Sequence, residues 1–100
     1  MYEKGLGVPQ DYKTAVKWFT LAAEQRNAYA QFNLALMYGN GRGVPLDYVR
    51  AHMWVTIAAS SGDENAVSAR DGSAKRMAPE RIEEAQKLVR ECVAKNYKGY

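Results

Sequence analysis

The 100-residue chain carries a net charge of +3, with six Lys and Arg against four Asp and Glu in residues 1–62 and eight against seven in residues 63–100. Neither half is the basic block that nucleic-acid binding asks for, the single cysteine rules out an internal disulfide, and no apolar run is long enough to span a bilayer. The 47% hydrophobic fraction is rich in Ala and Tyr and poor in Ile and Phe, which suits helices packed through small side chains.

In chain order, residues 1–10 read as the tail of a helix followed by a turn. Gly5-Leu6-Gly7-Val8-Pro9-Gln10-Asp11-Tyr12 returns 36 residues later as Gly41-Arg42-Gly43-Val44-Pro45-Leu46-Asp47-Tyr48. The match extends through Met1/Met37, Tyr2/Tyr38, Ala15/Ala51, Trp18/Trp54, Thr20/Thr56, Ala22/Ala58 and Ala23/Ala59. Self-similarity at this period is the signature of a stacked repeat. It also sets the chain's start where the first helix of a repeat would be ending, so the chain reads as a piece of a longer array. The phrase reverses direction between helices. Gly5 and Gly41 close one helix, Gly7 and Gly43 continue the turn, Pro9 and Pro45 prevent the helix continuing, and Asp11 and Asp47 cap the next one. A phosphate-cradling loop needs a preceding strand and usually a third glycine or a Lys-Ser/Thr, all missing here.

Apolar residues at three- and four-residue steps predict a helix from Asp11 to about Gln25, through Tyr12, Ala15, Val16, Trp18, Phe19, Ala22 and Ala23. Asn27 caps a second, from Ala28 to about Tyr38. A third runs from Asp47 to about Ser60 and repeats the pattern of the first. Asp63 caps a fourth, from Glu64 to about Lys75, whose Gly72 costs about 1 kcal/mol relative to Ala and leaves its end prone to fraying. Pro79 opens a fifth, running to about Lys95, with Glu80, Glu83 and Glu84 at the positive end of its dipole and an otherwise charged outer face. The expected organisation is a partial first repeat over residues 1–26, a second over 27–62 and a capping third over 63–95. The expected fold is all-α, an α/α solenoid of about five helices.

Candidate chemistry is sparse. His52 is the one histidine, on a helix flank where the first repeat has Val16, and neither Cys92 nor a second His is placed to join it in nucleophilic or zinc chemistry. It reads as a partly buried structural residue, and Cys92, in the stripe Ile82, Ala85, Leu88, Val89, as a buried structural thiol. The carboxylate pairs Glu83-Glu84 and Asp63-Glu64 stand at predicted helix starts, where dipole pairing accounts for them. The Lys75-Arg76 cluster is too small for a nucleic-acid surface. No catalytic residue, metal site or cofactor is expected. Trp18 and Trp54, set among alanines, read as packing residues. An uncovered first helix would still leave Val16, Trp18 and Phe19 available for self-association into a homodimer.

Met-Tyr-x-x-Gly-x-Gly-Val-Pro-x-Asp-Tyr, followed by Ala51, Trp54 and Ala58-Ala59, resembles the Sel-one-like repeat, a relative of the tetratricopeptide repeat. Ala69-Arg70-Asp71, Met77-x-Pro79-Glu80 and Glu84-Ala85-Gln86-Lys87-Leu88 are similar to the segment that ends such arrays. The resemblance implies a right-handed superhelix of antiparallel helix pairs, and adaptor roles in signalling, protein quality control or bacterial–host interaction. It implies a non-enzymatic scaffold whose concave groove, lined by the first helix of each pair, takes a protein or peptide partner. Carried over by position, the groove residues are Tyr29, Phe32, Asn33 and Leu36, with Asn65 and Ser68 one repeat on; packing against the neighbouring repeat is the alternative for the aromatics, Phe32 above all. Arg26 replaces the glycine that Gly62 supplies one repeat later, and Ala35 stands where the family often has glycine.

Overall fold

The structure, a computed structural model, describes residues 11–98. Gly5, Gly7 and Pro9, the first copy of the turn, lie outside the described residues. Five helices follow in order: α1 Tyr12–Glu24, α2 Ala28–Asn40, α3 Tyr48–Ala59, α4 Glu64–Arg76 and α5 Pro79–Ala94. Among the described residues there are no strands, and the molecule is an all-α helical solenoid.

The helix starts follow from local chemistry. Asp11, Asn27, Asp47 and Asp63 each accept a hydrogen bond from a backbone N–H in the first turn, at 2.8–3.1 Å. The Thr14 hydroxyl and amide both donate to Asp11 and hold its carboxyl below the usual range. α5 begins instead with Pro79 after Ala78, without a side-chain cap.

Helix ends differ from the sequence expectation in two places. α2 continues two residues past Tyr38 to Asn40, whose Nδ2 donates to the Leu36 carbonyl at 2.9 Å. Gly41 then takes the left-handed conformation at φ 66° and its N–H reaches the Met37 carbonyl. α4 runs unbroken through Gly72 to Arg76. The turn after α1, which lacks glycine, closes all the same with Arg26 itself left-handed at φ 68°.

The helix at the centre is α3, against which α2, α4 and α5 all pack, while α1 packs on α2. Seven of its twelve residues are buried, from His52 to Ala59 with only Thr56 excepted. Trp54, Met53 and Ala58 meet Leu34 and Ala30 of α2, Ala23 of α1, Ala66 of α4 and Cys92 of α5 in one core cluster. Small side chains dominate, so helices approach closely. A buried polar link reinforces the α1–α2 corner: Gln31 Nε2 donates to the Ala23 carbonyl at 3.1 Å.

Candidate binding groove

Between α2 and α4, toward their C-terminal ends, lies an open groove of about 480 Å³ whose floor is α3. Ala35, Leu36, Gly39 and Asn40 form one wall, Ala69, Gly72, Ser73 and Arg76 the other, and Tyr48, Ala51 and Val55 the base. Gly39, Gly72 and three alanines keep it wide. Beyond Tyr48 a second cleft of about 470 Å³ opens between the starts of α3 and α5, and Tyr48, Arg76 and Met77 line both.

Of the six residues expected in a groove, only Leu36 lines this one, and it is 44% exposed. Tyr29 is more exposed, at 69%, but meets Phe19 of α1 edge-on at 6.5 Å. Phe32 is half-buried against the core, the alternative raised by the sequence. Asn33 donates its side-chain amide to the Tyr29 carbonyl at 2.9 Å. Asn65 and Ser68 are exposed on the N-terminal half of α4, outside the groove lining. Tyr48, Arg76, Gly39 and Met77 were not foreseen. A signal for them was readable: at the 36-residue offset, Ala78-Pro79 stand where the second repeat has Arg42-Gly43, so the third repeat lacks the glycine turn.

Beneath one wall runs a short polar chain. Ser73 Oγ lies 3.5 Å from Met77 Sδ, to which it can donate, and shares a 3.1 Å hydrogen bond with Nδ1 of His52. Burial, and then the nearby Arg70 charge, lower the basicity of His52 below the ordinary value, which favours the neutral ring. Cys92 is likewise buried, its thiol pushed up to about 11 by burial and then by Glu24. A thiol held protonated at neutral pH is a poor nucleophile. Among the described residues no group of three or more His, Cys, Asp or Glu is placed to hold a metal ion, and no helix is long and apolar enough to cross a membrane.

The residues assigned to self-association separate. Trp18 is 66% exposed, whereas Val16 and Phe19 are half-buried against the core. Leu21, at 51%, joins Trp18 on the exposed side of α1.

Stacked helix pairs joined by a glycine turn narrow the choice of family, and the match that decides it covers residues 1–27 and 28–63, each as one Sel1 repeat. The chain belongs to the Sel1 repeat family. Sel1 repeats typically serve as non-enzymatic scaffolds for protein–protein interaction. Among solved structures this Sel1 repeat chain is similar to c5321, a protective antigen present in uropathogenic Escherichia coli strains and displaying an SLR fold, with a TM-score of 0.82 and 27% identity. The similarity covers 94% of this chain but 21% of the antigen, so the chain spans about a fifth of that protein's length. No curated protein matches it.

Proposed function

We propose that this Sel1 repeat chain is a protein-interaction module that takes a peptide or a partner helix in the groove between α2 and α4, with residues 63–95 as its capping unit. The observation that carries the reading is Tyr48, 61% exposed in the lining of a groove that also displays Leu36. Exposed aromatic and aliphatic side chains over a rigid helical floor are the usual anchors of such recognition. Tyr29 stands apart from that lining, on the α1 side.

The test is calorimetry with peptides selected from a phage-displayed dodecapeptide library. Binding is expected to fall at least about ten-fold in a Leu36→Asn/Tyr48→Ala variant of unchanged helicity, and to persist in Tyr29→Ala. Loss only on Tyr29→Ala moves the site to the N-terminal half of α2 and overturns this one.

A second reading, self-association through α1, is favoured by the exposure of Trp18 and Leu21. Two copies packed through this face would bury an apolar patch that neither covers alone. Sedimentation showing a strict monomer at high micromolar concentration removes it.

A further inference from the structure

We infer that the occupant of this groove is an acidic peptide segment, with Arg76 pairing to a carboxylate and Tyr48 packing an apolar residue beside it. The inference rests on the groove reading proposed above and adds the chemistry of the partner.

The internal duplication supplies the control. In the first repeat the residue equivalent to Tyr48 is Tyr12, and the turn of the second repeat lies on it. A Cβ on Gly43 would overlap the Tyr12 carbonyl group, only 2.6 Å from its carbon, and the Arg42 guanidinium stands over the Tyr12 ring at 5.4 Å. One repeat later that cover is gone. Residues 41–47 connect α2 to α3, but only Met77 and Ala78 connect α4 to α5. No glycine turn reaches Tyr48, and the two clefts open on either side of it.

Charge then selects the occupant. Among the described residues, Arg76 is the one charged side chain lining the first cleft. In the second cleft both carboxylates are already paired, Asp47 with Arg50 at 3.3 Å and Glu84 with Arg81 at 2.8 Å. Arg76 makes no ion pair among the described residues, so a single uncompensated positive charge stands where the two clefts meet. A guanidinium beside apolar surface binds a carboxylate through two parallel N–H···O bonds, a geometry a peptide Asp or Glu satisfies. The apolar remainder of the lining, Leu36, Tyr48, Val55 and Met77, demands more than a small anion. A nucleic acid would need several cations in a row, and one phosphate contact does not hold it.

The experiment selects the random dodecapeptide library on wild type, Arg76→Glu and Tyr48→Ala, with circular dichroism to establish equal helicity. Wild type is expected to enrich net-negative peptides with an apolar residue next to an acid. Synthetic versions should weaken at least about ten-fold on Arg76→Glu and on Tyr48→Ala, and weaken as salt rises. Replacing the peptide acid by Lys should restore binding to Arg76→Glu. Peptides that need Tyr48 but carry no acid and ignore Arg76→Glu overturn the acidic partner and leave the groove standing; Arg76 then serves only the C-terminal dipole of α4. No enriched peptide, or peptides indifferent to both variants, overturns groove and partner together. An oligothymidylate that binds more tightly than the selected peptides overturns the assignment to peptide.

Discussion

At the residue scale the glycines of this chain do unequal things, and two of them make a clean comparison. Gly43 and Gly62 both have positive φ, 78° and 91°. Around Gly62 a Cβ would meet nothing within 4 Å, whereas at Gly43 it would press on the Tyr12 carbonyl carbon at 2.6 Å and on Val16 Cγ2 at 2.9 Å. Gly62→Ala therefore carries only the left-handed backbone penalty of about 1 kcal/mol. Gly43→Ala carries that penalty and a clash with backbone that cannot swing away, and is expected to lose at least about 2 kcal/mol more in urea unfolding. Equal losses would show that the turn yields freely from α1. Arg26, in the place of Gly62 one repeat earlier, takes such a conformation as an L-residue, at φ 68°. Its guanidinium lies over the Tyr97 ring at 5.1 Å, a contact between the turn after α1 and the segment after α5. No local pattern could have announced it, because the partner is set by how α5 folds back and not by neighbours in sequence.

At the scale of elements, the helices were legible because their signals are local. Four capping side chains, a proline and a 3.6-residue apolar rhythm act within one or two turns, and each helix start is where those residues put it. The cleft lining was less legible, since only Leu36 of the six residues expected on α2 and α4 lies in it. Tyr29, Phe32 and Leu36 on α2, like Asn65 and Ser68 on α4, belong to the first helix of each pair. Where along those helices the space opens depends on the length of the connection from α4 to α5, a property of the next element. Gly72 joins the two levels. It sits in the groove wall, in mid-helix, and a Cβ added there would meet nothing within 4 Å. Gly72→Ala is expected to stabilise the chain by roughly 0.5–1 kcal/mol while lowering affinity for a groove peptide, since the methyl would add bulk to the wall of the cleft proposed to hold it. Thermal unfolding and calorimetry on the same variant check the two signs. A gain in both would place the peptide elsewhere.

At the scale of the whole molecule, the Cα radius of gyration is 13.2 Å, about the value expected of any 100-residue globular domain. The stack is too short to behave as a long solenoid, and its stability concentrates in α3, where most helices meet. Trp18 and Trp54 make that concentration measurable, since one residue type stands at equivalent points of successive repeats with opposite surroundings. Trp54 is fully buried and its Nε1 finds no hydrogen-bond partner among the described residues, so what the ring contributes is packing. Trp54→Ala is expected to cost about 3–5 kcal/mol through lost transfer energy and the cavity left behind. Trp18, exposed on α1, should cost less than about 0.5 kcal/mol when replaced by Ala in dilute solution. If α1 also forms the contact between two copies, the cost of Trp18→Ala must grow with protein concentration, because association stabilises the folded state by mass action. Unfolding midpoints measured from low to high micromolar chain concentration separate the cases. A wild-type midpoint that rises with concentration, flattened by Trp18→Ala but not by Leu36→Asn, assigns the contact to α1; a flat wild-type curve leaves that face without a partner copy.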